Sequence, residues 1–345
     1  MGGIFVAVIA PFLFKGYWEF HLSLICIAII GFAVLFFEPG SPMRSGRRLG
    51  LWVPMLLSFS ALVFSLLTSV ARWEFGSLDA SRSFYGILHV KAGKDPVRGP
   101  YRELFHGQII HGIQYMDPGE RNVPTSYYGK GTGLWYAMEY HPKRLQQASL
   151  HIGAVGLGTG TIAAYGRKGD SLRFYEINPD VLRFSEKWFR YLKDTPAQTE
   201  VVLGDGRIQL EMELARNQKQ QFDILVADAF SGDAIPLHLL TRECAQVYRQ
   251  HLNDNGILAI NISNQHLDLK PVALGMAQAL QWKAVLVDTE ENADANAWAA
   301  TWVLITANQA FLQNPAVQQA ANKLSDKVTP LLWTDEYTSL FHVLN

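Results

Sequence analysis

Residues 150–160, with the sequence LHIGAVGLGTG, decide the fold because they join an apolar strand to a glycine-rich turn. The part that runs from Leu150 to Gly156 is apolar except for His151, which predicts a strand buried on both faces. The glycines that follow let the backbone turn sharply and let a ligand approach without a Cβ clash. A helix that begins behind such a turn offers free N–H donors. The spacing G-x-G-x-G differs from the dinucleotide pattern G-x-G-x-x-G, so the turn predicts a ligand site without naming the ligand.

Strand-like and helix-like segments alternate after this stretch. Further strands are predicted at Ser171–Ile177, Thr199–Leu203, Phe222–Asp228, Gly256–Ser263, Lys283–Asp288 and Thr301–Thr306. Helices are predicted between them at Asp180–Leu192, Arg207–Ala215, Thr241–Leu252 and Leu269–Leu280. The alternation predicts an α/β fold, in which a mostly parallel sheet is covered by helices on both faces. Ligands of such sheets bind beyond the carboxyl ends of the strands.

A small β module is predicted upstream of this sheet. Ser83–Val90 is β-rich, and Tyr101–Gln114 has the pattern of a strand, a turn and a second strand. The segment between them, residues 91–100 (KAGKDPVRGP), combines glycine, proline and charge and predicts a loop. A helix is predicted at Leu134–Tyr140, after a stretch that contains two adjacent tyrosines.

Acidic residues stand at the ends of three successive predicted strands. Glu176 lies 16 residues after Gly160, where an acid can accept two hydrogen bonds from a ribose diol; the alternative is an exposed loop acid. Asp205, between two glycines, can reach an adenine amino group or simply cap the following helix. Asp228 directly follows Ile-Leu-Val-Ala, where a carboxylate is costly to desolvate unless it has a partner or a function. Together these acids predict one shared ligand site.

Residues 149–263 resemble a class I S-adenosylmethionine-dependent transferase, and more narrowly the spermidine synthase (polyamine aminopropyltransferase) family. The motifs that carry the resemblance are GLGTG, EINPDVL, GDGR and VADAFSGDAIP, which follow a small β module in the family's order. The resemblance implies a Rossmann-like class I methyltransferase-type sheet. It also implies a reaction in which an amine attacks a carbon bonded to the sulfonium of S-adenosylmethionine or its decarboxylated form, and a neutral thioether leaves.

The resemblance also assigns roles to individual residues. Asp228 matches the family's catalytic aspartate and would be the general base, with Tyr128 as a second catalytic residue. The implied cofactor contacts are Gly156, Gly158, Thr159, Gly160, Glu176, Asp205, Gly206 and Gln114. Within this set the three turn glycines would wrap the amino-acid or aminopropyl end, Glu176 the ribose and Asp205 the adenine. The implied substrate and gate-loop residues are Tyr127, Ser231 and Asp233.

The sequence departs from the family at several of these positions. Thr159 stands where soluble spermidine synthases carry an acid that meets the free amine of the cofactor. Ser231 replaces the second acid of the family's loop, and Asp233 follows two residues later. Gln114 is one residue too close to its glycine for the family's Asp-Gly-x-x-Gln pattern. Because a dicationic diamine prefers carboxylates or aromatic faces, these departures favour cofactor binding over polyamine chemistry.

Other functions therefore stay open at this point. The most direct hypothesis is aminopropyl transfer to a small-molecule amine. Methyl or aminocarboxypropyl transfer, or elimination or cyclisation with the cofactor alone as substrate, are alternatives within the same enzyme class. A non-catalytic sensor of the cofactor or of a polyamine, coupled to the membrane helices, is the alternative outside it.

Three uncharged stretches open the chain: Met1–Phe14, Phe20–Phe37 and Leu49–Ala71. A helix needs about 20 apolar residues to cross a bilayer, so the second and third are predicted transmembrane helices. The first is too short and contains Pro11, and we interpret it as the end of a longer membrane segment. These helices match the membrane-fused spermidine-synthase-like proteins of bacteria. That likeness implies an integral protein of the inner membrane, with the lipid bilayer as a partner and the soluble part in the cytosol.

Composition and length set the remaining expectations. A net charge of −1 argues against a nucleic-acid partner, and two cysteines do not make a disulfide scaffold. Neither HExxH nor CxxC occurs, so no metal site is predicted. The sequence leaves a homo-oligomer possible. The predicted domains are transmembrane helices (1–71), β module and substrate-side loop (72–140), Rossmann-like catalytic domain (141–310) and C-terminal extension (311–345).

Overall fold

The computed structural model describes residues 2–41, 49–229, 236–322 and 328–344. The chain divides into two compact units, Met1–Ala92 and Gly93–Asn345. Each unit is described by itself below. The finer domain boundaries expected from the sequence remain predictions.

The first unit contains two long apolar helices, Trp18–Phe37 and Leu49–Glu74. They agree with the second and third predicted membrane segments. Both are long and apolar enough to cross a membrane, and their apolar windows are not buried within the protein. Upstream of them, the chain forms shorter helical turns that include Ala10–Leu13. Length and composition thus make the two long helices candidate spans.

A buried ion pair lies at the amino end of the first long helix. Both carboxylate oxygens of Glu19 accept hydrogen bonds from Arg82, at 2.6 and 2.9 Å. Arg82 also donates to the carbonyl of Gly16 at 2.8 Å. A carboxylate beside apolar surface is costly unless it is paired, and here a bidentate guanidinium supplies the pair. Arg82 belongs to strand β1 (Ser77–Ser83), which pairs antiparallel with β2 (Gly86–Asp95).

The second unit begins with the predicted hairpin. Strand β3 (Gly99–His106) pairs antiparallel with β4 (Ile109–Tyr115), which confirms the strand–turn–strand pattern. The loop predicted at residues 91–100 is shorter than expected because β2 continues to Asp95. The side chain of Asp95 then accepts the N–H groups of the two residues that close the turn, at 2.8 Å each.

The predicted mostly parallel sheet is present in the second unit. Its strands are β5 (His151–Val155), β6 (Ser171–Glu176), β7 (Gln198–Leu203), β8 (Phe222–Ala227), β9 (Leu252–Asn261), β10 (Lys283–Thr289) and β11 (Ala300–Thr306). Within the described ranges the seven strands follow the order β10-β11-β9-β8-β5-β6-β7. Strands β7, β6, β5, β8 and β9 pair in parallel, and β11 is antiparallel to both of its neighbours. The α/β class I methyltransferase-type sheet is thereby confirmed.

Helices connect these strands close to their predicted places. Their bounds are Gly133–Glu139, Pro142–Leu145, Pro179–Trp188, Tyr191–Asp194, Gly206–Ala215, Arg242–His251, Lys270–Ala279, Gln309–Leu312 and Pro315–Ala320. The side chains of Asn178, Asp205 and Thr241 each accept an N–H from the first turn of the helix that follows, which is why these helices begin there.

The single helix predicted at Asp180–Leu192 is wrong, because the helix ends at Trp188 and a new turn starts at Tyr191. Phe189 has extended backbone and its side chain is buried. The N–H of Arg190 donates to the side-chain oxygen of Gln114 at 2.7 Å, a bond that replaces the helical one. A side chain from a distant part of the sequence thus interrupts the helix that the local pattern predicts.

Candidate active site

The carboxyl ends of four parallel strands meet at one edge of the sheet. Strands β8, β5, β6 and β7 are neighbours in this order, and main-chain bonds join the segments that leave them. The N–H of Asp228 donates to Val155 at 3.0 Å, and that of Gly204 donates to Glu176 at 2.8 Å. Glu176, Asp205 and Asp228 therefore all follow strand ends on the same edge, which is where ligands of such sheets bind.

The glycine-rich turn lies against the residue that follows β8. Gly156 has φ +102°, and a Cβ at this position would overlap the main-chain oxygen of Asp228. Its own N–H donates to Tyr175 at 2.9 Å, which fixes the turn on the sheet. The turn leads into a short 3-10 helix, Thr161–Tyr165, rather than a long α-helix. The missing Cβ atoms let the turn pack closely against the main chain of Asp228 and of His111.

The carboxylate of Asp228 lies at the centre of the site. It is buried, and it accepts one hydrogen bond from the hydroxyl of Tyr128 and one from Nδ2 of Asn261 at 2.9 Å. Burial raises the pKa of Asp228 to about 6, against the opposing effect of these two donors. At pH 7 such a group is mostly ionised, yet it is a stronger base than an ordinary aspartate.

Asn261 was not predicted from the sequence. It is the last residue of β9 and follows a run of apolar residues, as Asp228 follows β8. A polar residue at the end of a buried strand is the signal that could have revealed it.

The two adjacent tyrosines are held by neighbouring main-chain and side-chain contacts. Trp302 donates its indole N–H to the carbonyl of Tyr127 at 3.0 Å, and the hydroxyl of Tyr165 donates to the carbonyl of Tyr128. The two tyrosine rings lie 4.4 Å apart between centroids. Burial raises the pKa of both phenols above the ordinary value, and the charge on Asp228 adds to the effect. Both hydroxyls are therefore neutral donors at physiological pH.

Glu176 holds the glycine-rich turn directly. Its carboxylate accepts the N–H of Leu157 at 3.0 Å and that of Asn178 at 2.8 Å. Burial raises the pKa of Glu176, while these main-chain donors oppose the shift. A carboxylate has about four lone-pair positions, so acceptor capacity remains for a ligand hydroxyl.

Asp205 carries out the helix-capping role that the sequence left open. One oxygen accepts the N–H of Ile208 at 3.0 Å, and the other lies 2.9 Å from Nε2 of His238. His238 was not predicted, since nothing in its local sequence relates it to Asp205. Gly206 packs closely on β5, because a Cβ there would lie 2.5 Å from Val155. Cofactor contacts of Asp205 and Gly206 remain predictions.

Two further predicted contacts have other partners in the structure. The hydroxyl of Thr159 is buried and lies 2.7 Å from that of Thr161. The amide of Gln114 is also buried, donates to the carbonyl of Arg121 at 2.7 Å and accepts from the N–H of Arg190 at 2.7 Å. Both ends of the Gln114 amide thus hold main-chain segments together, and its contact with a cofactor remains a prediction.

Ser231 and Asp233, the other predicted loop residues, lie outside the described residues. Across the part of the chain that the structure describes, no group of three or more His, Cys, Asp or Glu side chains is arranged to hold a metal ion.

A cavity of about 600 Å³ opens next to residues that surround Asp228, although Asp228 itself does not line it. Tyr127, which adjoins one hydrogen-bond partner of Asp228, and Asn261, the other partner, both line it. Its remaining walls are mainly polar or aromatic and include His111, Ser263, Gln265, Asp288, Trp298 and Thr301. A cavity of this size holds a small ligand.

Comparison with known proteins finds relatives that are named aminopropyltransferases and others that are named methyltransferases. No family model matches the chain. It is 23% identical over 220 residues to a probable polyamine aminopropyl transferase of Bifidobacterium longum, with 63% of this chain and 44% of that protein covered. It is 27% identical over 211 residues to a polyamine aminopropyltransferase of Vibrio vulnificus, with 60% and 66% covered. The chain thus spans from under half to almost two thirds of the length of these relatives.

One solved structure is also similar to the chain. The crystal structure of a probable spermidine synthase from Corynebacterium glutamicum matches with a TM-score of 0.49 and 15% identity, covering 67% of this chain and 79% of that one. The sequence relatives make the chain spermidine synthase-like.

Proposed function

We propose that this spermidine synthase-like chain transfers an aminopropyl group from decarboxylated S-adenosylmethionine to a small-molecule amine, with Asp228 as general base. The observation that carries the proposal is the buried carboxylate of Asp228, which is held by Tyr128 and Asn261. The main chain of the same residue lies against Gly156 of the glycine-rich turn. The names of the sequence relatives support the reaction class.

The residues at the sheet edge fit an adenosyl sulfonium. The glycine-rich turn packs its main chain closely against Asp228 and His111 at this edge, and Glu176 retains acceptor capacity for ribose hydroxyls. Asp205, on the next strand end, would meet the adenine. When bound, the cofactor supplies an electrophilic carbon whose leaving group is a neutral thioether.

Asp228 would remove the proton that makes the acceptor amine unreactive. An alkyl amine has a reference pKa of about 10.4, so it is protonated at neutral pH and has no lone pair for attack. A carboxylate whose pKa is raised to about 6 is ionised at pH 7 and can accept or share that proton. Tyr128 and Asn261 orient its two oxygens, and positioning of the amine contributes much of the remaining rate.

The aromatic side chains of the cavity would attract the acceptor before deprotonation. The rings of Tyr127 and Trp298 have centroids 6.4 Å apart, and both residues line the cavity. An ammonium over an aromatic face gains about 0.5–2 kcal/mol, depending on its desolvation. These aromatic faces would supply part of the attraction for the cationic acceptor that carboxylates supply in the related family.

The main alternative function differs from aminopropyl transfer in the cofactor that it uses, S-adenosylmethionine in place of its decarboxylated form. Thr159 places a hydroxyl, already paired with Thr161, where an acid would bind the free amine. This observation favours, as a second candidate, a transferase that uses S-adenosylmethionine itself. Calorimetry with both cofactors tests the choice: tighter binding of the decarboxylated form supports aminopropyl transfer, and tighter binding of the carboxylated form contradicts it. Mass spectrometry of the product then names the transferred group.

Replacing Tyr128 by Phe is expected to move the acidic limb of the pH–rate profile to higher pH. In the wild type, activity should rise as Asp228 deprotonates around pH 6. The Tyr128 hydroxyl lowers the pKa of Asp228, so its removal raises that pKa and the variant loses more rate at low pH than at high pH. The measurement is kcat/KM from pH 5 to 9. Tyr136→Phe, on the helix Gly133–Glu139, is the matched control and should keep the wild-type limb.

The full chain is proposed to be an integral membrane protein, with its soluble part in the cytosol of a bacterium. The helices Trp18–Phe37 and Leu49–Glu74 support this by length and composition. After expression in bacteria, the chain is expected to stay with the membrane pellet through high-salt and alkaline carbonate washes, and to leave it only in detergent. Release by carbonate would contradict the proposal. Protease access in inverted vesicles, but not in spheroplasts, would place the soluble part in the cytosol.

A further inference from the structure

His111 carries a polar atom whose buried position has no explanation within the protein. The residue lies in β4 and is one of those that line the cavity described above, together with Asn261, a hydrogen-bond partner of Asp228. Its Nε2 is buried, and among the described residues it has no hydrogen-bond partner. An unpaired buried nitrogen is unfavourable, so a ligand that pairs with it gains a specific contact.

The main chain of His111 contacts both the glycine-rich turn and Tyr127. Its carbonyl oxygen would lie 3.1 Å from a Cβ on Gly158, which places β4 directly against the glycine-rich turn. The same carbonyl accepts the hydroxyl of Tyr127 at 3.2 Å. The next residue, Gly112, also packs against the turn, since a Cβ there would be 2.5 Å from the hydroxyl of Thr159. His111 thus stands between the turn and the tyrosines around Asp228.

The imidazole of His111 is neutral at physiological pH. Burial lowers the pKa of His111 to about 4, and the nearby His106 adds to the effect. The two rings have centroids 5.4 Å apart. A neutral imidazole has one ring nitrogen that accepts a hydrogen bond, and it does not repel a cation.

We propose that Nε2 of His111 accepts a hydrogen bond from a primary aliphatic amine bound in this site, and so replaces the acid that is missing at Thr159. The inference rests on the proposed function, because it assumes that an amine-bearing ligand enters this cavity. The amine can belong to the aminopropyl arm of the cofactor or to the acceptor. The chemistry of recognition is the same for both, and binding measurements with separate probes distinguish the two sources.

Replacing His111 by Phe keeps a planar ring but removes both nitrogens. Three probes are titrated calorimetrically: 5′-methylthioadenosine, which has no aliphatic amine; decarboxylated S-adenosylmethionine; and 1,4-diaminobutane in the presence of 5′-methylthioadenosine. We expect His111→Phe to bind the first probe like the wild type and to bind an amine-bearing probe about tenfold more weakly, the loss of one hydrogen bond to a charged donor. His106→Leu, on the same hairpin, is the matched control and should leave all three affinities unchanged.

Each outcome has a defined meaning. Weakening of decarboxylated S-adenosylmethionine alone assigns His111 to the cofactor arm, and weakening of 1,4-diaminobutane alone assigns it to the acceptor. Unchanged affinity for both overturns the inference while the proposed function stands. Failure of the wild type to bind 5′-methylthioadenosine contradicts the proposed function itself, and the inference with it.

A spectroscopic measurement on the wild type covers the case in which His111→Phe does not fold. With 15N-labelled histidine, the resonance of the His111 ring nitrogens should shift when the amine-bearing probe is added to the protein already saturated with 5′-methylthioadenosine. The resonance of His106 serves as the internal reference. A His111 resonance that does not respond to either amine overturns the inference.

Discussion

Replacing Asp228 by Asn is expected to reduce kcat by about 100- to 10,000-fold, the usual contribution of a positioned general base. The amide has almost the same size as the carboxylate and can still accept from Tyr128 through its oxygen, so the site should keep its size. Its NH2 group would face Nδ2 of Asn261, so that hydrogen bond is lost. What is lost is the group that takes the proton from the attacking amine. The measurement combines steady-state product formation with calorimetric cofactor affinity, which should remain close to that of the wild type.

A second buried acid of the same strand provides the control for this variant. Asp223, at the amino end of β8, pairs with Lys143 at 2.6 Å and accepts the N–H of His151 at 2.9 Å. Asp223→Asn should lower the free energy of unfolding but leave the kcat of the folded protein intact. If Asp228→Asn retained turnover, the general-base role would be wrong. If it lost cofactor affinity instead of turnover, a binding or sensor function would be favoured.

The sheet was predictable from the sequence because its signals are local. Each strand is a short apolar run, each helix begins at a side chain that caps its first turn, and β5 is followed by a turn that needs glycine. The position of Asp228 follows from the same logic, since a polar residue after Ile-Leu-Val-Ala must lie at a strand end. The carboxyl edge of the sheet could therefore be identified without coordinates.

The contacts between these residues could not be derived from local sequence patterns, because the partners come from distant parts of the chain. Tyr128 and Asn261 reach Asp228 from positions 100 and 33 residues away in sequence. His238 meets Asp205 across 33 residues, and Gln114 interrupts a helix at Arg190 from 76 residues away. Only the packing of β4 and the sheet connections brings such pairs together, so the pattern of a local segment contains no trace of them.

The C-terminal region also makes contacts that local sequence patterns did not predict. From the sequence, residues 311–345 were predicted only as a C-terminal extension, yet Trp333 is fully buried. Its carbonyl accepts the N–H of Arg242 at 2.8 Å, and Asp335 pairs with Arg207 at the start of the helix Gly206–Ala215. A segment that turns polar along the sequence thus still contributes to the core, through one buried aromatic residue, a main-chain hydrogen bond and an ion pair.

Replacing Gly156 by Ala is expected to disturb the protein more than any other single methyl group added to the glycine-rich turn. The φ of +102° is unfavourable for alanine, and the new Cβ would overlap the main-chain oxygen of Asp228. We expect a loss of about 1–3 kcal/mol in the free energy of unfolding from the backbone strain. Displacement of Asp228 should also reduce kcat/KM by about 100-fold. Thermal unfolding and steady-state kinetics measure the two effects.

Gly158→Ala is the control that shows whether any alanine in the glycine-rich turn has the same effect as Gly156→Ala. Its φ of +55° is within the left-handed region that alanine can adopt at a cost of about 1 kcal/mol, and the nearest atom to its Cβ, the carbonyl oxygen of His111, is 3.1 Å away. Gly158→Ala should therefore be less destabilised than Gly156→Ala and should retain more activity. Equal effects of the two variants would mean that the turn responds to strain alone. A Gly156→Ala protein that matched the wild type in stability and kcat/KM would show that the turn and Asp228 are not coupled, and the site would then have to be sought elsewhere.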